Sequence, residues 1–222
     1  MKIFIFLLLF ILLKVPTKAQ GDTHQSLEFL VSPALNYRLF SSRNSDMNWL
    51  KDQQDSLQRF ASGYGFQLNY EFEIGKSRSF FMGLAHSKQG YQYKYQAISG
   101  FQTFSLNYHY VQLSLGSNLY FRMNEFCQIV VQPSLLPSAL LASESVYQQV
   151  DTYYKERSSI YPSSSKLSLN GQLAVGVLIR IDERWKFRSH LFYQQQLTPL
   201  TKGDLSCRLF SLGLQFGLSR SL

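Results

Sequence analysis

Four histidines and two cysteines are the side chains of this 222-residue sequence best suited to chemistry. His24, His86, His109 and His190 are far apart in the chain, and the pair weighed for chemistry is His86 with Ser87 beside it. A base next to a hydroxyl is the beginning of a nucleophilic site. Such a site also needs the two atoms within about 3 Å and a third group to orient the base, and no residue is placed to serve as that third group. There is no Gly-x-Ser-x-Gly elbow, no His-Glu-x-x-His, no phosphate loop and no Cys/His spacing of the kind that holds metal. No catalytic, cofactor-binding or metal-binding residues are therefore expected. Cys127 and Cys207 fall in separate, non-neighbouring segments, so two free thiols are expected in place of a disulfide.

The charged residues are more informative, because several recur on one parity of short alternating segments. Glu71 and Glu73 share a parity with Gly65, Gln67 and Asn69, while Tyr64, Phe66, Leu68, Tyr70, Phe72 and Ile74 take the other. Arg180, Lys186 and Arg188 likewise stand on the polar parity of their segments. Period two of this kind places all bulky apolar groups on one face of a strand. Which surface that face meets depends on the whole set of segments.

The chain begins with Lys2, an unbroken apolar run from Ile3 to Leu13, and Lys14 to Ala19 ending in a small residue. This is the anatomy of an export signal, cut after Ala19 to leave Gln20 first. Eleven apolar residues are too few for a membrane-spanning helix, which needs roughly 20. Residues 1–19 are read as a signal peptide and 20–222 as one domain. Cleavage would remove Lys2, Lys14 and Lys18 from the 22 basic residues and none of the 14 acids, lowering the formal charge from +8 to +5. The remaining basic residues are scattered, without the stripe a nucleic acid would require, so no nucleic-acid partner is expected.

Eight segments alternate in this way. Lys166 to Ile181 is the clearest, with Leu167, Leu169, Leu173, Val175, Val177, Ile179 and Ile181 on one face. Tyr64 to Ile74, Trp185 to Gln195 and the run from Leu205 follow. Leu27 to Phe40, Phe80 to Tyr91, Thr103 to Phe121 and Phe126 to Leu141 are weaker. In Thr103 to Phe121 the large apolar residues are even up to Tyr110 and odd from Val111, which reads as one inserted residue, a bulge. Pro133 and Pro137 predict gaps in the ladder of Phe126 to Leu141. Short turns at 75–79, 122–125 and 182–184 alternate strictly with longer polar connections at 41–62, 94–102, 143–165 and 197–204.

Charged residues make up only 16% of the chain, against about 25% in an average soluble domain, while Phe (18) and Tyr (14) are abundant. No segment of the mature chain could span a membrane as a helix. A sheet survives in hydrocarbon only if it closes and satisfies every backbone group, and its apolar face then turns outward. The expected fold is therefore all-β: an eight-stranded antiparallel up-and-down transmembrane β-barrel, with short periplasmic turns and long extracellular loops. Eight strands leave room only for side chains, so the interior should be filled, with Glu71, Glu73, Arg180, Lys186 and Arg188 pairing inside it. Tyr91, Tyr93, Tyr95, Tyr108, Tyr110, Tyr153, Tyr154 and Tyr161 suit an interfacial girdle, as does Trp185 at a turn. A secreted soluble barrel holding an apolar ligand is the main alternative, with the opposite orientation of faces. A lipid-modifying enzyme using His86 is a weaker one.

The long connections are where recognition would reside. Trp49, Leu50 and Phe60 in the first, and Tyr153 and Tyr154 in the third, are the candidate partner-contact residues; folding over the barrel rim as a lid is the competing reading.

The mature chain resembles the small outer-membrane β-barrel family of Bacteroidota that includes the PorT-like porin-family proteins. The resemblance rests on Lys18-Ala19-Gln20, on Leu106 to Leu115, on Arg188 and Tyr193 in the penultimate strand, and on the glycine-rich stretch Ser211 to Gly217. Gln112 to Ser114 lacks the proline usual there. The resemblance implies a non-catalytic outer-membrane protein with a membrane-structural or surface-interaction role, and a few relatives assist type IX secretion. The partners implied are outer-membrane lipid and lipopolysaccharide, the barrel-assembly machinery during insertion, and another envelope or secretion protein met through the loops.

Overall fold

The computed structural model describes residues 25–42, 52–53, 56–75, 77–97, 100–149, 152–158, 166–200 and 205–222. The export signal at 1–19, Trp49 and Leu50 lie outside them. Ten strands form one antiparallel sheet: β1 (Gln25–Ser42), β2 (Gln58–Arg59), β3 (Ala61–Glu73), β4 (Arg78–Ala97), β5 (Gly100–Arg122), β6 (Cys127–Gln149), β7 (Thr152–Ser158), β8 (Leu167–Arg180), β9 (Trp185–Gln196) and β10 (Leu205–Ser221).

The strand count corrects the sequence expectation of eight. β2 and β7 fall in stretches that the alternation leaves as loops, because two residues, or seven polar and aromatic ones, carry no period-two contrast. The simple up-and-down order is corrected as well. β2 pairs directly with β4, farther along the edge of β4 that β3 also occupies, and β6 pairs with both β7 and β8. The sheet nevertheless closes: β1 is bonded to β3 on one side and to β10 on the other.

Short and long connections do not alternate strictly either. β4 and β5 stay paired out to Ala97 and Gly100, so only residues 98–99 join them where a longer loop is expected. β6 likewise runs on to Gln149 and turns back into β7. Both extensions lie beyond the apolar part of their strands, where tyrosine and glutamine replace the aliphatic residues that mark a strand in the sequence.

The prolines of β6 act as expected. Pro133 and Pro137 stand where the β5–β6 ladder has gaps, opposite Ser117 and Leu113, whereas the β6–β8 ladder runs unbroken past both. A proline lacks the N–H needed toward one neighbour, and the pairing on its other side does not call on that group. The inserted residue expected in β5 is instead in its partner. The register shifts between His109 and Tyr110, whose partners are Ala142 and Leu140, which leaves Leu141 of β6 unmatched. Within β5 the even residues from Leu106 to Ser114 all face inward. The apparent parity change reflects a different filling of the lumen at that level.

Orientation is the decisive feature. Leu84 is 64% exposed and Leu173 50%, while Asn69 and Glu28 are fully buried. The aliphatic and aromatic faces of β1, β3, β8, β9 and β10 all look outward. On β3 the outward apolar run from Tyr64 to Phe72 is nine residues long. A tilted strand needs about nine to eleven residues to cross a bilayer. A soluble barrel lined with apolar groups requires the reverse arrangement.

Candidate functional site: the filled lumen

The lumen is built in three levels, each defined by which inward residues the strands deliver. At the end that carries the short turns and both strand termini, β9 contributes Arg188, β1 Glu28, β3 Glu71, β4 Ser79, and β5 Asn118 and Tyr120. Arg188 is 1% exposed. Its Nε lies 2.8 Å from Glu28 Oε1, and its Nη2 3.3 Å from Glu71 Oε2. Nη1 also donates to Glu28 Oε2 at 3.3 Å, so one guanidinium clamps two carboxylates. Glu71 further accepts from Asn118 Nδ2 at 2.7 Å and Ser26 Oγ at 3.3 Å, and from the hydroxyls of Ser79 and Tyr120. Asn69 Nδ2 donates to Glu28 Oε2 at 3.0 Å. Taking these ions out of water is costly, and this density of charge-assisted bonds is what compensates for it.

Nearer the mouth, Lys186 Nζ meets Glu73 Oε1 at 2.6 Å, with both side chains partly exposed. Of the five charges expected in the interior, the structure joins Glu71 to Arg188 and Glu73 to Lys186. Arg180 is the exception. It is exposed at the very end of β8, where its backbone N–H donates to Phe126 O at 2.8 Å and its side chain is outside the lumen. Its parity is that of the polar face, but strand ends at the rim are open to water on both faces. Glu28 is the member the sequence reading passed over as an interior charge, although it sits on the polar parity of β1.

The middle level holds neutral amides and hydroxyls. Gln67 Nε2 donates to Asn69 Oδ1 and Ser114 Oγ, both at 2.8 Å; Asn170 Nδ2 donates to Ser138 Oγ at 2.6 Å; Ser211 Oγ donates to Asn36 Oδ1 at 2.5 Å. His190 is buried at this level.

The third level, toward the loops, is aromatic. Tyr91, Tyr108 and Tyr110 pack with Leu106, Leu140, Leu200, Cys207 and Leu209 in one buried cluster. The Arg38 guanidinium carbon lies 3.7 Å from the centroid of Tyr91, 4.0 Å from that of Phe40 and 5.0 Å from that of Tyr93. Tyr91, Tyr108 and Tyr110, expected at the membrane interface, are thus inside the barrel. The reason is positional: they follow the inward parity of β4 and β5. Both cysteines are free thiols, Cys207 buried in this cluster and Cys127 partly exposed.

The remaining sequence candidates are separated. His86 and Ser87 are adjacent on a strand and so point to opposite faces of the wall, His86 outward and Ser87 into the lumen. They cannot form a base–nucleophile pair. Phe60 is exposed, its ring centroid 5.1 Å from that of Tyr37 on the outer wall. Gln58 Nε2 donates to Arg38 O at 2.8 Å, which ties the end of the 41–62 segment to the rim. Tyr153 and Tyr154 lie in β7, opposite Gln148 and Tyr147. Among the described residues, no three His, Cys, Asp or Glu side chains gather as a metal site.

No family model matches the chain, and no curated protein matches it. Solved structures of similar outline include neisserial surface protein A, at 10% identity and a TM-score of 0.43, covering 91% of this chain and 100% of that one. The outer-membrane protease OmpT of Escherichia coli matches at 7% identity and a TM-score of 0.44, covering 91% and 98%. OprG of Pseudomonas aeruginosa matches at 9% and 0.39, covering 89% and 98%.

Proposed function

We propose that the chain is a non-catalytic outer-membrane β-barrel protein, exported by a signal cut after Ala19, whose lumen is closed by its own side chains. The inversion of faces carries this reading: aliphatic and aromatic groups look outward while Glu28, Glu71, Arg188, Asn36 and Gln67 are buried. Closure of the sheet satisfies the backbone without water, as hydrocarbon demands. The charged clamp and the aromatic cluster occupy opposite ends of the same lumen, which favours a membrane-structural or surface-interaction role over a diffusion pore. Any contact with an envelope or secretion partner, as in the PorT-like family the sequence resembles, belongs to the loop end, with Phe60, Tyr153 and Tyr154 on or near its outer edge. Lipid, lipopolysaccharide and the assembly machinery are the partners such a barrel meets during its life.

The test is fractionation of the native cell followed by electrophoresis of the unheated and heated protein in detergent. Recovery in the outer membrane with faster migration before heating is expected. A monomer that stays soluble in buffer without detergent would defeat the reading.

A further inference from the structure

One level of the lumen is delivered in register by four consecutive strands. Gln172 of β8 stands opposite Gln194 of β9, Gln194 opposite Ser211 of β10, and Ser211 opposite Asn36 of β1. All four are buried on the inward parity of their strands. With Gln67 and Ser32 they line a cavity of about 30 Å³ inside the barrel. Asn36 is fully buried and Gln194 is 6% exposed, and neither Asn36 Nδ2 nor Gln194 Nε2 has a hydrogen-bond partner in the protein. Among the described residues Lys88 is the one charged residue at the cavity, and it stands on the outward parity of β4. An anion would therefore meet no counter-charge there, and a cation no carboxylate. Buried amide donors are costly to leave unpaired, so the fitting occupant is a neutral molecule that accepts hydrogen bonds. The volume sets its size, since one water needs roughly 10–15 Å³.

A second observation falls at the same place. The β1–β10 ladder pairs Val31 with Phe216 and Ala34 with Gly213, and skips Ser32 and Pro33 between them. Pro33 has no N–H to give, and its pairing with Tyr64 of β3 is kept. Ser32, Ala34 and Gln215, which surround this break in the closing seam, all line the cavity. Hydrocarbon on the outer side can satisfy no backbone group. Only the lumen side can.

We infer that this mid-lumen cavity is a binding site for about two ordered water molecules. They accept from Asn36 Nδ2 and Gln194 Nε2 and donate in turn to the serine hydroxyls and to the β10 backbone at the Pro33 break. The waters thus complete the seam where the ladder fails. The Arg188 clamp and the aromatic cluster close the lumen on either side of them, so they exchange slowly with bulk solvent. The role at the seam rests on the membrane reading above; the occupancy does not. Gly65 borders the site, and a Cβ there would make only ordinary contacts, 3.4 Å from His86 O and 3.6 Å from the Ser32 side chain. A serine hydroxyl at position 65 fits where one water sits.

The test uses the full chain, isotope-labelled and folded in detergent micelles, with magnetisation transferred from water to the side-chain amides. Transfer to the Asn36 and Gln194 amide protons is expected, with the sign that marks a bound molecule. None is expected at Asn118 Nδ2, which donates to Glu71 Oε1 and Ser79 Oγ in the clamp. Gly65→Ser should lower the transfer by about half, one water of the pair being displaced. Gly171→Ser, on the outward parity of β8, should leave it unchanged. Absence of transfer at both amides, equal transfer at Asn118, or no reduction in Gly65→Ser would overturn the inference. Xenon entering the cavity of pressurised crystals would do the same, by showing it dry. If the chain proves soluble without detergent, the membrane reading and the role at the seam fall, and the same spectra recorded in buffer decide the water site on its own.

Discussion

Arg188 and Tyr110 are both buried on the inward face of the same barrel, yet the two ends of the lumen they belong to are held by different physics. At the turn end, Glu28, Glu71 and Arg188 are fixed by directional, charge-assisted bonds contributed from β1, β3 and β9, with Asn118 and Tyr120 of β5 completing the shell. At the loop end, Tyr91, Tyr108, Tyr110 and Leu209 are held by apolar packing, with Arg38 stacked on the rings. The first arrangement fails when one partner is removed, because the others are stranded as unpaired ions. The second loses stability in proportion to the volume removed. A single barrel thus contains a lock that is all-or-none and a plug that is graded.

This contrast orders the consequences of mutation. Arg188→Met should have the largest effect, costing about 3–5 kcal/mol by leaving two buried carboxylates without a cation. Chemical unfolding of the barrel in detergent or lipid would measure it, and adding Glu28→Gln and Glu71→Gln should recover much of the loss. If the triple variant were no better than the single one, the clamp would not be an electrostatic unit. Leu209→Ala, in the aromatic plug, should cost about 2–4 kcal/mol by opening a cavity, and Leu209→Met should cost less than about 1.5 kcal/mol. An Ala variant as stable as the wild type would mean the cluster is loosely packed. Lys186→Gln breaks a pair that water already screens, so at most about 1 kcal/mol is expected. A loss as large as that of Arg188 would place Lys186 inside the lock. Arg180→Gln should change stability by no more than about 0.5 kcal/mol, as befits an exposed residue; a greater loss would return Arg180 to the interior.

The same contrast explains what could be read from the sequence. The charged end was legible because Glu71 and Arg188 stand among glycine, serine and amides on one parity, with aliphatic residues on the other. Only closure of the sheet can bury such a face beside lipid. Glu28 carried the same signal, but weaker neighbours on β1 obscured it. The aromatic end was misread because a large apolar residue on the inward parity looks like one facing lipid: Tyr108 and Tyr110 suggested a girdle and a bulge in β5. The irregularity is instead at Leu141 of β6. Alternation records a contrast between faces, and where both faces are bulky the contrast vanishes. β2 and β7 escaped for a related reason, being short strands beyond the apolar belt with nothing to contrast. The separation of His86 from Ser87 was available all along from the pleat.

The central claim is that the apolar faces look into hydrocarbon and the polar faces into a closed lumen. The most direct test is labelling of the folded protein by a carbene generated within the acyl region of the bilayer, with modified residues located by peptide mass spectrometry. Label on Leu84, Leu173 and Val175, with Asn69, Asn170 and Gln172 untouched, is the predicted result. Label on the amides with the leucines protected would contradict the account, because the barrel would then be inside out.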